Sequence, residues 1–397
     1  VTSSAVSPTA CARRTQSTSS ARSSAWLTRA SRCSDAVMNV PTPGHPSASP
    51  SISNYRYALS TVLGDRFPPE PVTAPPEACG TISGMVFHGL AYTATPHDRA
   101  ASLRADPARV ADLLDRDDSQ VLPMWRDRPL LTADGRPVRL TGSPARTLMA
   151  VAGQTALLGL DGTTASFAAD LSGVEETEAL RLGAAHTSAD LRGLAATLPG
   201  PLAATLAYAR GLLYWNRHAR YCGTCGATTA SADAGHLRVC QGPDCGRQLF
   251  PRIEPAVIVL VEGPGPQPRC LLARHHGAGP NNFSLLAGFV EIGESLEGTV
   301  RREVGEEAGV TVGAVTYQGS QGWPFPAGLM VGFVARAVDE TIAVDGRELL
   351  EARWFTRAEI VERVRNGPGS GPADSIGGRL LRSWAGLDRP PLQQAEV

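Results

Sequence analysis

Three carboxylates set the chemistry this sequence invites: Glu303, Glu306 and Glu307, inside a run from Gly288 to Val310 that reads GFVEIGESLEGTVRREVGEEAGV. Ser295 can cap a helix and Gly309 can end one, so Leu296 to Ala308 is expected as about three and a half helical turns. At about 100° per residue, the three glutamates fall within roughly a 100° arc of that helix. Side chains of like charge at this spacing repel one another and oppose folding. A divalent cation among them reverses the sign, because hard cations such as Mg²⁺ take oxygen ligands and keep positions open for phosphate oxygens. Leu296, Val300 and Val304, spaced by four, would pack the helix onto a sheet.

A bare E-x-x-E-E is most simply a solvated acidic face. Here Gly288 and Glu294 upstream, and Gly309-Val310 downstream, complete the pattern G-x5-E-x7-R-E-U-x-E-E-x-G-U, with U apolar. This resembles the Nudix box in full. The resemblance implies a hydrolase for a nucleoside diphosphate linked to another group.

Composition narrows the setting. The chain has 397 residues, enough for two or three domains with their own cores, and a net charge of −1 that argues for neither nucleic acid nor a membrane surface. All 37 basic residues are Arg, which reads as the codon bias of a GC-rich genome, so an Arg count alone is no sign of phosphate binding. No apolar run approaches the roughly 18 residues of a membrane span. Of eight cysteines, Cys222, Cys225, Cys240 and Cys245 cluster, while Cys11, Cys33, Cys79 and Cys270 are scattered. That distribution suits a metal site in a reducing compartment, so the cytoplasm is expected.

Residues 1–50 are rich in Ser, Ala, Thr and Arg, with no acid before Asp35. Such a segment cannot bury enough surface to fold. It has the composition of a transit peptide, but the simpler reading is a start assigned too far upstream, with Met38 as an alternative. A Pro-rich lead-in follows, so residues 1–84 are expected as a tail and 388–397 as a shorter one. Residues 85–218 are expected as an α+β domain ending in a linking helix. Within it Arg104–Leu114 reads as helix, and Ser119–Trp125, Arg128–Leu131, Ala145–Leu160 and Thr164–Leu171 as strands. Leu202–His218 is the linking helix, with a packing stripe of Leu202, Leu206, Ala209, Leu213 and Trp215.

Residues 219–252 carry C-x2-C-x14-C-x4-C from Cys222 to Cys245, with a Gly after Cys225. Two knuckles of this kind close on one tetrahedral Zn²⁺, and four thiolates leave no position for substrate, so the zinc is structural. Residues 253–387 form the domain of the glutamates, with strands at Ala256–Val261, Cys270–Arg274, Phe283–Ala287, Val310–Tyr317, Leu329–Ala337 and Glu351–Phe355. Helices at Ala358–Val364 and Ser375–Trp384 complete an α/β/α sandwich around a mixed sheet. The fold class is therefore α/β with α+β character.

Between two of these strands lies Ser320-Gln321-Gly322-Trp323-Pro324-Phe325-Pro326. Prolines around Trp and Phe give a stiff loop that presents aromatic faces, suited to a nucleobase or a nicotinamide ring. A zinc ribbon, then a Nudix box, then an S-Q-P-W-P-F-P-like segment resembles the NADH pyrophosphatase family over roughly residues 85–387. That resemblance implies Mg²⁺ or Mn²⁺ held by Glu303, Glu307, Glu348 and the carbonyl of Ala287, with Glu306 completing the cluster. It leaves open which glutamate is the base. Arg302 would orient the cluster by ion pairing. Gln321, Gly322, Trp323, Pro324, Phe325, Pro326, Ala327 and Gly328 would line the substrate pocket, with Phe250, Gly377 and Arg192 near it. Four positions depart from the family: Gly322 replaces a proline, Gly328 a Ser, Phe250 a Tyr and Gly235 a Glu.

The expected reaction is metal-dependent hydrolysis of the pyrophosphate of NADH or NAD⁺ to AMP and the nicotinamide mononucleotide, and the family resemblance implies a homodimer. NAD-capped RNA contains the same bond. Alternatives are a Nudix enzyme for ADP-ribose or a dinucleoside polyphosphate, a non-catalytic zinc-ribbon protein that binds nucleic acid, and an NAD sensor.

Overall fold

A computed structural model describes residues 90–93, 95–194, 196–366 and 375–387. The tails expected over residues 1–84 and 388–397 lie outside the described residues. The chain enters through two short helices, α1 (Ala101–Arg104) and α2 (Pro107–Asp115). Asp106 caps α2 by accepting from the N–H groups of Ala108 and Arg109 at 3.1 and 3.2 Å, and Pro107 suits a first helical position. Next come β1 (Gln120–Trp125), β2 (Arg128–Leu131), α3 (Gly142–Val151), β3 (Gln154–Asp161) and β4 (Thr164–Asp170). Then follow α4 (Glu176–Leu182), β5 (Thr187–Ser188), α5 (Leu191–Leu194) and the 19-residue α6 (Gly200–His218). The strands form one sheet in the order β3-β4-β1-β2-β5, with β1 parallel to β4 and the other neighbours antiparallel.

One expectation needs correcting here. Ala145–Leu160 is not a single strand but the second half of α3 followed by β3. Pro144 is tolerated in a first helical turn, and Ala145 and Leu148, three apart, bury the same side of α3. An apolar run this continuous carries no period that separates helix from strand.

The ribbon adds three short antiparallel strands, β6 (Thr229–Ala232), β7 (Leu237–Cys240) and β8 (Gln248–Leu249). The second large sheet is built from β9 (Glu254–Glu262), β10 (Arg269–His275), β11 (Leu286–Phe289), β12 (Val312–Trp323), β13 (Gly328–Ala337) and β14 (Leu349–Thr356). Its order is β12-β13-β9-β10-β14, with β11 also on β9, and its one parallel pair is β9 with β13. Helices α7 (Leu296–Ala308), α8 (Arg357–Asn366) and α9 (Ile376–Trp384) cover it.

Alternation along β9 decides which helix meets which face. Val257, Val259 and Val261 point to α7, where Val300, Val304 and Ala308 are fully buried. Leu260, with Ile258 packed beside it, turns the other way to Ile360 of α8 and Ile376, Leu380 and Trp384 of α9. The result is the expected α/β/α sandwich around a mixed sheet. Burial of Val300 and Val304 contributes about 1.5–3 kcal/mol each, which offsets the repulsion on the acidic side of α7.

Candidate active site

Helix α7 begins where the Ser295 hydroxyl accepts from the Gly298 N–H at 3.0 Å and ends at Gly309, whose φ of 68° is the left-handed cap glycine tolerates. Between them the glutamates separate by depth. Glu307 is 4 % exposed, Glu303 half-buried and Glu306 on the surface. Burial first, then the charges of Glu303, Glu348, Asp345 and Glu306, push the Glu307 carboxyl up to about 8. Burial also raises Glu303, against the opposing pull of Arg302. The Oε2 of Glu307 is buried with no hydrogen-bond partner. A carboxylate oxygen buried without a donor is costly, and an oxygen-seeking cation is the partner that fits it. Glu303, Glu348 and Ala287 line the same cavity, so the donor set is all oxygen, which suits Mg²⁺ or Mn²⁺.

Arg302 organises the rim. Its guanidinium grips Glu294 at 2.6 and 2.9 Å, Glu303 at 3.0 Å, Glu306 at 3.1 Å and the Phe289 carbonyl at 2.9 Å. The bond from Arg302 is the main reason the Glu294 carboxyl is held down at about 2. Gly288 explains the first letter of the box. A Cβ there would lie 1.9 Å from Cδ of Glu303, so any side chain would drive that carboxylate out of place.

The same cavity, about 650 Å³, reaches the aromatic segment, where Trp323, Phe325, Pro326 and Gly328 join Glu254, Ala256 and Met330 on its wall. Its size falls in the range of small-molecule sites, about 300–1,000 Å³. The segment is less of a loop than its prolines suggest: Ser320–Trp323 continue β12, with Trp323 opposite Gly328, and only residues 324–327 turn. Trp323 and Phe325 meet edge to face at 5.3 Å.

Several expected contacts sit elsewhere. Gln321 is fully buried: its amide donates to the Ala91 carbonyl at 3.0 Å and accepts from the Ile376 N–H at 2.9 Å. An amide saturated in this way braces the strand rather than facing substrate. Gly377 is half-buried beside Ile258 and Leu285, off the cavity wall, where a Cβ would come within 2.9 Å of the Ile258 Cδ1. Gly322, Pro324 and Ala327 are not among the residues of the cavity wall, and Phe250 is exposed outside it. Arg192 also lies off the wall, its guanidinium 4.2 Å from the Phe325 ring centre and 5.5 Å from that of Trp323. Glu254, Ala256, Phe289, Glu291 and Met330, which do line the cavity, have no local signal; only the pairing of β9 with β11 and β13 brings them together.

In the ribbon, the Sγ atoms of Cys222, Cys225, Cys240 and Cys245 all lie within 4.8 Å of one another, with Cys222 to Cys245 at 3.8 Å and Cys225 to Cys240 at 3.3 Å. Tetrahedral zinc with Zn–S near 2.3 Å requires S···S separations of about 3.8 Å. The N–H groups of Thr224 and Gly242 point at the sulfurs of Cys222 and Cys240 at 3.4 and 3.3 Å, which favours thiolates. The residues fit zinc. The remaining described cysteine, Cys270, is fully buried in the sheet, and burial pushes its thiol up, away from reactivity.

Three family models match in succession: an NADH pyrophosphatase-like rudimentary NUDIX domain over residues 118–215, an NADH pyrophosphatase zinc ribbon domain over 217–250 and a NUDIX domain over 252–373. The chain is 39% identical over 192 residues to the NAD-capped RNA hydrolase NUDT12 of Homo sapiens, covering 46% of this chain and 41% of that protein. It is 42% identical over 209 residues to the NAD-capped RNA hydrolase NudC of Mycobacterium tuberculosis, covering 50% of this chain and 66% of that one. The matched segment thus spans less than half of the first relative and just under two thirds of the second. A crystal structure of a NUDIX hydrolase from Nitrosomonas europaea aligns with a TM-score of 0.30 at 24% identity, covering 38% of this chain and 95% of that one.

Proposed function

The chain belongs to the Nudix superfamily, in the branch marked by the NADH pyrophosphatase zinc ribbon, and from that premise we propose that it hydrolyses the pyrophosphate of NADH or NAD⁺ to AMP and the nicotinamide mononucleotide. The observation that carries this reading is the buried, unpartnered Glu307 carboxylate in the same cavity as Trp323 and Phe325. Carboxylates at one end and aromatic rings at the other match a substrate with a pyrophosphate beside a flat ring.

Glu303, Glu307, Glu348 and the Ala287 carbonyl would hold a Mg²⁺ or Mn²⁺ ion, which would supply charge neutralisation on the phosphates and make the attacking water more acidic. The chain's own groups do the rest. Glu306 or a neighbouring carboxylate takes the proton as water oxygen bonds to phosphorus and the bridging P–O bond breaks. Arg302, pinned by Glu294, keeps Glu303 and Glu306 in register. Trp323 orients a ring of the substrate, which fixes the phosphates for in-line attack. NAD-capped RNA is the second substrate of this proposal, supported by both relatives being NAD-capped RNA hydrolases.

Product analysis after incubation with NADH and Mg²⁺ or Mn²⁺ tests the reading, and AMP plus the reduced nicotinamide mononucleotide are expected. Intact NADH, with ADP-ribose cleaved under the same conditions, overturns it in favour of another Nudix substrate. The proposed assembly is a homodimer, supported by exposed apolar side chains at Tyr221, Phe250, Ile253, Phe289 and Ile292. Light scattering at twice the chain mass is the expected result. The proposal includes domain divisions at 218/219 and 252/253 and a cytoplasmic setting, where the four ribbon thiols stay reduced. No helix among the described residues is long and apolar enough to cross a membrane.

A further inference from the structure

The aromatic turn belongs to the second sheet in sequence, yet its grip comes from the first. Phe325 packs beside the core of Leu206, Leu213 and Trp215 on α6. The Tyr92 ring meets it edge-on at 5.7 Å, and two guanidinium groups lie over its faces, Arg192 at 4.2 Å and Arg210 at 4.8 Å. Arg210 also donates to the Pro324 carbonyl, so one α6 side chain holds both the backbone and the ring of the turn.

Arg210 is itself held. Asp127 lies 3.9 Å from it and accepts from Arg217 at 2.6 Å, and Arg217 reaches Asp170 at 3.2 Å. All four side chains are mostly buried, so solvent screens these contacts only weakly. Asp127 occupies an unusual place. The β1–β2 hairpin pairs Trp125 with Arg128, leaving Arg126 and Asp127 as a two-residue turn with φ of 45° and 67°. Such turns favour Asn-Gly or Asp-Gly, and a non-glycine pair there carries backbone strain. The strained turn directs the Asp127 carboxylate at α6.

We propose that Arg210, held by Asp127, is a positioning residue of the dinucleotide site: it clamps the Pro324-Phe325 turn so that Trp323 faces the cavity. The clamp gives a domain without the acidic cluster a part in substrate recognition. The proposal rests on the reading that Trp323 orients a ring of the substrate.

The test is steady-state kinetics on the full chain with Mn²⁺. Arg210→Met is expected to raise KM for NADH about tenfold, the scale of one charge-assisted hydrogen bond, with kcat within about threefold. Arg210→Lys, which keeps a donor and a charge, recovers part of that loss. Asp127→Asn removes the charge while Asn tolerates the turn, so it shifts KM in the same direction even if Arg210→Met fails to fold. Combined with Trp323→Ala, Arg210→Met adds less than its separate effect, because both act through one ring. Hydrogen exchange reads the clamp without turnover: amides of Trp323, Phe325 and Ala327 exchange faster in Asp127→Asn while those of β1 and β4 do not. Unchanged KM and unchanged exchange at the turn overturn the proposal, as does faster exchange spread through the whole first sheet. If the wild-type chain leaves NADH intact, the dinucleotide reading fails, and exchange alone still decides whether the clamp exists.

Discussion

The two large sheets follow one plan. In the first, β3-β4-β1-β2-β5 has a single parallel pair, β4 with β1, flanked by antiparallel neighbours. In the second, β12-β13-β9-β10-β14 repeats the pattern with β13 parallel to β9. The helices correspond as well: α3 lies between β2 and β3 as α7 lies between β11 and β12. Their side chains do not. Helix α7 carries Glu297, Glu303, Glu306 and Glu307, whereas α3 reads GSPARTLMAV, with no acid. One sheet order thus supports a carboxylate cluster in one copy and none in the other. The architecture does not dictate chemistry; a few side chains on one helix do. What the first copy keeps is contact: α6 and Tyr92 reach the aromatic turn of the second.

The ribbon joins the copies, so removing its metal is the severest way to break the comparison. His236 hydrogen-bonds the Leu157 carbonyl of β3 at 2.7 Å, and Arg238 reaches Gln154 at 2.9 Å and Asn216 of α6 at 3.3 Å. Structural zinc is worth about 10–16 kcal/mol in zinc-finger peptides, as much as the whole stability of an ordinary domain, about 5–15 kcal/mol. One zinc per chain is expected by elemental analysis, and Cys222→Ser should unfold the ribbon and loosen β3 and α6. Less than about half an equivalent of metal, in a folded chain with reduced thiols, removes the zinc assignment.

Glu307→Gln breaks the second copy alone. It keeps shape but removes a buried charge, and kcat should fall at least about 10²-fold while KM moves little. Near-normal turnover would show that the cluster holds no essential cation.

That contrast explains what was legible from residues alone. The Glu303-Glu306-Glu307 spacing, the Ser295 cap and the Gly309 stop are local, so helix α7 could be read to its ends. The cysteine quartet is local in the same sense. The position of the Gln321 amide is not legible in this way, because strand alternation and the approach of Ala91 and Ile376, far away in sequence, decide where it goes. The likeness of the two sheets is not legible in these residues: α3 and α7 share no side-chain pattern, whereas the hydrogen-bond register and the match of residues 118–215 to a rudimentary NUDIX domain both show it.

Trp323→Ala tests the seam between the copies. A stacked ring is worth roughly 1–3 kcal/mol, so affinity for NADH should weaken about 5- to 150-fold with kcat largely kept. This is the opposite split from Glu307→Gln, measured in the same assay. An unchanged KM would reduce the aromatic turn to packing and leave the clamp on it without consequence for substrate.

The smallest effect separates the copies by pH. His236 sits between the ribbon, Tyr208 of α6 and the Leu157 carbonyl, and burial chiefly pulls its pKa down from 6.5 to about 4. A folded-state pKa below the unfolded one means that the unfolded chain binds the extra proton first. Stability from neutral His236 is therefore fully present above pH 6.5 and is lost as pH falls from 6.5 toward 4. A shift of this size caps the loss at about 3 kcal/mol, less once partial exposure is counted. Monitored by hydrogen exchange, β3 and α6 should lose protection over this window, and His236→Gln should flatten that response. In the second sheet burial instead pushes the Glu307 carboxyl up to about 8, the opposite sign, so falling pH does not destabilise that sheet through this group. A loss that persists unchanged in His236→Gln would mean that acid acts on the joint through another group, and the histidine would then be a packing contact rather than the source of the pH response.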